Sequence, residues 1–429
     1  MINEATVLIT VFLGILTFVV PKKYFLLPFI LAACFVPADQ RVIIFDLDFT
    51  PLRMLVLVGF FRTILWGERL TFKWNRFDKL VLAWAICGAV IYLIQWADMR
   101  ALTYKCGVLF DVIGLYWLFR INISSWVDIK YATKVFAVCS LVLAVLVGLE
   151  WATGRNPFVV LGRVETVVRE GRYRCQASFP HAIILGLFWA TLVPLFIGFA
   201  RQDKSKLLFW SAVAASAFIA GATASSTPIL TLLIVLIILC GYSWRQYTAC
   251  AGWGLFASLV ALHIVMQAPV WHLISRIGVV GGSTGWHRFI LIDRAISHFG
   301  EWAFLGCRST AHWGRGLRDV TNHYIREGVN GGFVTLALLL VMLYMALRIL
   351  LRLSLPNQEH KQQFLAWCLF AAVLGHCVAF FGVSYFGQIT MLWYMTLAMV
   401  SFLREERQWH ANGHRHKSSR WVKIRHKDV

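Results

Sequence analysis

Apolar runs of about 16–23 residues, each long enough to cross a hydrocarbon core of about 30 Å, recur through this sequence. Leu80–Trp96, Thr103–Phe119, Val135–Trp151 and Ala182–Ala200 are clear instances. The strict alternation of a membrane barrel strand is missing from them, so each is expected to be a helix. Of the 429 residues, 59% are hydrophobic and only 14% charged, whereas a soluble domain carries nearer a quarter charged. The expected fold class is all-α: a polytopic integral membrane protein with about 12–13 transmembrane helices and two long periplasmic loops.

The formal net charge of +20 is distributed mainly between the runs. Arg62, Arg69, Lys73, Arg76 and Lys79, then Arg201, Lys204 and Lys206, then Arg348, Arg352 and Lys361 mark one side, which the positive-inside rule makes cytoplasmic. This accounts for most of the basic balance without nucleic acid as a partner. The expected organisation is one transmembrane domain over 1–403, with loops 152–181 and 269–328 on the outer side and a basic cytoplasmic tail over 404–429. Glu4 is the only early charge and no small-residue cleavage site follows, so the first run is expected to stay as a span. The halves do not repeat, against the duplicated plan common in transporters.

Arginines on the outer side break the charge rule. Arg155, Arg163, Arg169, Arg172 and Arg174 lie in the first loop. Arg276, Arg288, Arg294, Arg308, Arg315, Arg318 and Arg326 lie in or beside the second, among His272, His287, His298, His312 and His323. A guanidinium is permanently charged and offers a planar fork matched to phosphate oxygens, so two such loops would suit a pyrophosphate clamp. Anionic lipid head groups or nearby Glu are the alternative partners. Gly285–Phe299 has helical spacing, with Ser283 or Thr284 as N-cap candidates. The histidines show no metal-ligand spacing beyond His287 and His298, and no metal is expected; one of them acting as a general base is the simpler use. Asp111, inside a run, is expected to pair with a Lys or Arg of the bundle, for instance Lys105 or Arg120. Cys175 and Cys307 are the cysteines of the outer loops, where an oxidising compartment would permit a bridge between them.

Four segments, in order, resemble the O-antigen ligase and Wzy-type polysaccharide polymerase superfamily. Arg174-Cys175-Gln176-Ala177-Ser178-Phe179-Pro180-His181 resembles one motif, with Ala177 where the family has Gly. Ser225-Ser226-Thr227-Pro228 stands where a Ser-Arg-Gly hairpin is common. Gly285-Trp286-His287-Arg288 followed by Phe304-Leu305-Gly306 resembles a third. Asp319 to Ile325, followed by Glu327-Gly328 and Gly331-Gly332, resembles the fourth, although the family His falls on Thr321 in strict register and His323 two residues later.

The resemblance implies a periplasmic-face enzyme of the bacterial inner membrane that uses polyprenyl-pyrophosphate-linked glycans without metal, nucleotide sugar or other cofactor. Arg174 and Arg288 match its arginines, with Arg172 and Arg294 in support. His323 is the expected base, with His181 and His287 as substitutes, and Asn322 is a substrate-binding position. The expected activity is polymerisation of lipid-linked repeat units of an exopolysaccharide or O-antigen. A ligase moving finished glycan to another acceptor is the near alternative, and a transporter or flippase of lipid-linked oligosaccharide the distant one. Expected partners are the glycan donor, the glycan acceptor, membrane lipids and other polysaccharide assembly proteins.

Overall fold

The structure, a computed structural model, describes residues 3–44, 47–67, 73–276, 285–356 and 360–405. Its helices are α1 (Glu4–Val19), α2 (Leu26–Phe35), α3 (Pro51–Leu65), α4 (Arg76–Trp96), α5 (Met99–Asn122), α6 (Trp126–Thr153), α7 (Ala182–Ala200) and α8 (Lys206–Ala222). They continue as α9 (Ser226–Cys240), α10 (Thr248–Val265), α11 (Gly285–Ser297), α12 (Phe299–Trp302), α13 (His323–Ser354), α14 (His360–Gly382) and α15 (388–405). Two small antiparallel hairpins, β1–β2 (Val42–Ile44 with Leu47–Phe49) and β3–β4 (Val167–Arg169 with Arg172–Arg174), were not foreseen. Seven helical stretches among the described residues are long and apolar enough to cross a membrane, and α1 and α8 are shorter apolar helices. The chain is an all-α multi-pass membrane protein.

Contacts between helix ends sort the connections into two groups. At one end Thr6 Oγ1 donates to Leu161 O at 3.2 Å, Cys175 N to Ala222 O at 3.3 Å, and Asn322 Nδ2 to Phe381 O at 3.4 Å. Both long loops lie here. At the other end Arg62 Nη1 donates to Thr17 O at 2.7 Å, Asn75 Nδ2 to Ser401 Oγ at 2.8 Å and Arg245 Nε to Ser354 O at 2.6 Å, and Lys130 pairs with Asp203. The segments from α1 to α10 and from α13 to α15 alternate between these ends. Capping residues set several starts: Thr50 with Pro51 for α3, an Asn75–Asp78 capping box for α4, Asp98 for α5 and Ser125 for α6. Nearly all of α7 is buried, so it forms the axis against which α8, α9 and α14 pack. No residue of α10 is buried; its apolar surface is left to lipid.

Two carboxylates inside the bundle are paired with arginines. Asp78 accepts from Tyr116 Oη at 2.6 Å, Arg120 Nε at 3.3 Å and Ser401 Oγ at 2.5 Å, and Arg120 also pairs with Glu405. Asp111 is paired with an arginine of the bundle as expected, but neither Lys105 nor Arg120 is the partner. Its partner is Arg53 of α3, which donates through Nε and Nη2 to the two carboxylate oxygens at 2.7 Å each. Gly107 makes the room, because a Cβ there would lie 2.9 Å from Arg53 Nη2.

The second long loop is held by backbone contact. α13 breaks at Gly332, with φ 67° and ψ 178°. At the break a Cβ would lie 2.3 Å from Phe304 O, and Phe333 N donates to Ala303 O at 2.7 Å. Gly306, with φ 72°, is pressed as closely on Val329 O, at 2.1 Å from a would-be Cβ. A Gly332→Ala substitution adds backbone strain of about 1–3 kcal/mol to that clash. It should leave the bundle inserted but raise proteolytic cleavage within 299–322; unchanged cleavage would show that this crossing does not hold the loop.

Candidate functional site

The first loop is fixed from below by one carboxylate. Glu150, fully buried in the last turn of α6, accepts from Gln176 N at 3.1 Å, Ala177 N at 2.9 Å and Thr166 Oγ1 at 2.9 Å. Ala177 sits at φ 47°, the left-handed region where the resembled motif has Gly. Arg163 is spent on structure, donating to Phe179 O at 2.9 Å and pairing with Asp39. Arg174, ending β4, is 8% exposed. Its Nε has no hydrogen-bond partner, and no carboxylate among the described residues pairs with it. Burial, then Arg169, lowers its pKa. Arg169, Arg172 and Arg155 are exposed.

His181 caps α7 through Nδ1, which accepts from Ile183 N at 3.1 Å. That bond assigns the ring proton to Nε2, leaving a donor pointed away from the helix. Burial and then the nearby Arg174 and Arg163 hold its pKa down at about 4, partly opposed by Asp319 of the second loop. The α7 start is pressed on the α8–α9 turn: a Cβ on Gly186 would lie 2.6 Å from Pro228 and 3.1 Å from Thr223.

The second loop descends on the same turn. Arg288, in the first turn of α11, donates from Nη2 to Thr227 Oγ1 at 2.8 Å. No carboxylate among the described residues pairs with it, and burial lowers its pKa. Leu291 and Ala295, on the same side of α11, bury with Trp302, Trp313, Leu317 and Val329 in a small separate core. Glu301 pins that core, accepting from Trp313 Nε1 at 3.0 Å and meeting His312 Nε2 at 2.7 Å. Arg294 is exposed, and His287 Nε2 lies 3.2 Å from Gly316 O. The N-cap candidates Ser283 and Thr284 fall outside the described residues.

The fourth segment arrives beside Thr227 as well. A Cβ on Gly382 would lie 2.6 Å from Thr227, and Asn322 Nδ2 reaches Phe381 O. Asn322 is the N-cap of α13, accepting from Ile325 N at 3.2 Å. Thr321 therefore precedes the helix, and helical spacing does not relate it to His323. Its hydroxyl is buried without a partner. His323 is 7% exposed; its ring lies 4.4 Å from that of Phe380, and its Nδ1 accepts from Tyr385 N at 3.4 Å. It lines a cavity among α2, α3, α4, α5, α13 and α15, while Arg174, His181 and Arg288 do not.

The structure thus brings Arg288 to the Thr227 hydroxyl, bonds the residue after Arg174 to Ala222 at the other end of the same turn, packs the helix that His181 caps against it, leaves Arg172 and Arg294 on the surface, uses Asn322 as a cap, and turns His323 into an adjoining cavity. Glu150 and Thr227 were missed by sequence reasoning; an acid ending an apolar run was the one available signal. Among the described residues no group of histidine, cysteine and acidic side chains could hold a metal. The bridge that an oxidising compartment would permit is not formed: Cys175 and Cys307 are both free thiols. They lie in different cores, bound through their backbones to Ala222 and Val329, and burial raises them to about 12 and about 11. The chain matches no family model, no curated protein and no solved structure.

Two outcomes follow. Ala177→Gly should stabilise the protein by about 1 kcal/mol, since a left-handed non-glycine residue costs roughly that much; no gain in thermal unfolding would contradict the strained turn. The neutral His181 ring binds no proton in the folded protein until pH nears 4, whereas unfolded histidine takes one near 6.5. Folding stability is therefore lost progressively as pH falls from 6.5 towards 4. His181→Asn, which keeps a capping side chain, should reduce that acid-side loss in a pH series of unfolding midpoints.

Proposed function

We propose that this protein is a metal-independent membrane glycosyltransferase that polymerises polyprenyl-pyrophosphate-linked repeat units of an exopolysaccharide or O-antigen at the periplasmic face of a bacterial inner membrane. One observation carries the reading: both long loops meet the α8–α9 turn, the first through Cys175 N on Ala222 O, next in sequence to Arg174, and the second through Arg288 on Thr227 Oγ1, and neither arginine has a carboxylate partner among the described residues. That turn lies at the end opposite the Lys/Arg-marked connections, the side the positive-inside rule makes periplasmic. Partly buried cations lacking a carboxylate fit a ligand that supplies the negative charge.

In the reaction an acceptor hydroxyl attacks the anomeric carbon of the donor. The bond to the pyrophosphate oxygen breaks, and the pyrophosphate leaves on its lipid with the electron pair. Arg174 and Arg288 face the growing charge. His181, a donor through Nε2, adds a hydrogen bond to the same oxygens. The hydroxyl proton passes to His323, which lies on the wall of the adjoining cavity with its Nδ1 accepting from Tyr385 N at 3.4 Å.

Arg288→Ala should fold and insert yet lose about a hundred- to a thousand-fold in rate, or roughly 3–4 kcal/mol. Arg288→Lys should recover only part, because an ammonium keeps the charge and loses the fork. The check is polymer yield at matched membrane expression; wild-type yield from Arg288→Ala ends the clamp. Loss of the whole protein should leave single-repeat products on a glycan gel. Long unattached polymer would instead indicate the ligase.

A further inference from the structure

Beside the arginines lies a cavity of about 360 Å³, within the size range of small-molecule sites. Its wall runs from the loop residues Ala38, Thr50 and Gly387 down to Leu115 and Trp393 at mid-bundle. Two kinds of surface alternate in it. Trp84, Tyr104, Tyr385, Phe386, Trp393 and Tyr394 offer aromatic faces and edges. Arg53, Asp111, Lys105, Arg326 and Glu327 offer charge. Ionisable groups at membrane depth mark functional sites.

The polar groups are not used up by one another. Arg53 and Asp111 satisfy each other, and Glu327 Oε2 accepts from Trp84 Nε1 at 3.0 Å. Lys105, 9% exposed, has an aromatic neighbour, with Nζ 4.3 Å from the centre of Tyr92, but no ion pair among the described residues. Gln388, 1% exposed, donates to Val36 O and Ser178 O, yet its Oε1 is buried without a donor. An apolar occupant would leave that oxygen unsatisfied, at a cost of about 1–3 kcal/mol. A ligand that both donates and accepts, and has apolar C–H faces to lay on rings, answers both surfaces. A pyranose has this chemistry.

We propose that the cavity holds a pyranose unit of the acceptor glycan, with an acidic ring favoured because three cationic side chains face two anionic ones. The proposal deepens the glycosyltransferase reading and rests on it for the word acceptor. His323 lies on the cavity wall, and Gln388 bonds to Ser178, four residues from Arg174. The sugar pocket thus reaches the first loop through Gln388 and Ser178.

The test uses the full chain in lipid nanodiscs, with glucose and glucuronate as probes in saturation-transfer NMR. Both sugars should give signal, with glucuronate binding several-fold more tightly. Ala38→Trp, at the half-exposed mouth, should weaken both at least about fivefold, whereas Leu207→Ala, an exposed residue of α8 outside the cavity lining, should leave them unchanged. Tyr104→Ala, on an exposed side chain that folding tolerates, should weaken both as well. Absence of signal from either sugar, or wild-type binding by Ala38→Trp, overturns the pocket. Sugar binding that survives in a protein making no polymer would support the pocket while sinking the transfer reaction, so the two failures are distinguishable.

Discussion

Glu150 ends α6 as a fully buried carboxylate, and the outer face of this protein is assembled on it. Its oxygens accept two backbone N–H groups and a hydroxyl from the first loop. Hydrogen bonds to an ionised acceptor are worth about 1.5–3 kcal/mol each, enough to hold Ala177 in a conformation it otherwise avoids. Just before that turn, Cys175 N donates to Ala222 O, which ties the end of β4, at Arg174, to the α8–α9 connection. Removing the carboxylate would leave two buried donors unsatisfied, so the arginine's position and the loop's fold are one property.

The second loop reaches the same place by a different device. It carries its own small core, of Leu291, Trp302, Trp313 and Leu317, and meets the bundle where Gly306 and Gly332 allow backbone to touch backbone. Lipid explains why such devices sit only at the ends. Inside the bundle every charge needs a partner, as Arg53 has Asp111 and Arg120 has Asp78. Among the polar residues left with spare capacity, Gln388 and Lys105 line the cavity.

Much of the fold was legible because hydrophobic length is a local signal. The long spans and the basic marks of one side are read from consecutive residues, and the structure keeps them. The partners of Asp111 and Arg120 were not legible, because Arg53 is 58 residues from Asp111 and Glu405 is 285 from Arg120. β1–β2 and β3–β4 have strands of three residues, too short for alternation to show. In the site, Arg174 and Arg288 stood out as charges on the wrong side. Glu150 was hidden at the end of an apolar run, and Thr227 looked like one more hairpin residue. The register shift between Thr321 and His323 could not be resolved from the sequence, because it depends on the cap at Asn322, which starts the helix after Thr321.

The central claim is that Arg174 and Arg288 hold one anion between two loops. A double-mutant cycle on pyrophosphate binding addresses it directly, with calorimetry on the wild type, Arg174→Ala, Arg288→Ala and the double variant in nanodiscs. Groups that share a ligand should be coupled by about 0.5–3 kcal/mol, so the double variant should lose clearly less than the sum of the single losses. Strictly additive losses, or wild-type binding in both single variants, would mean that the two loops do not form a common site.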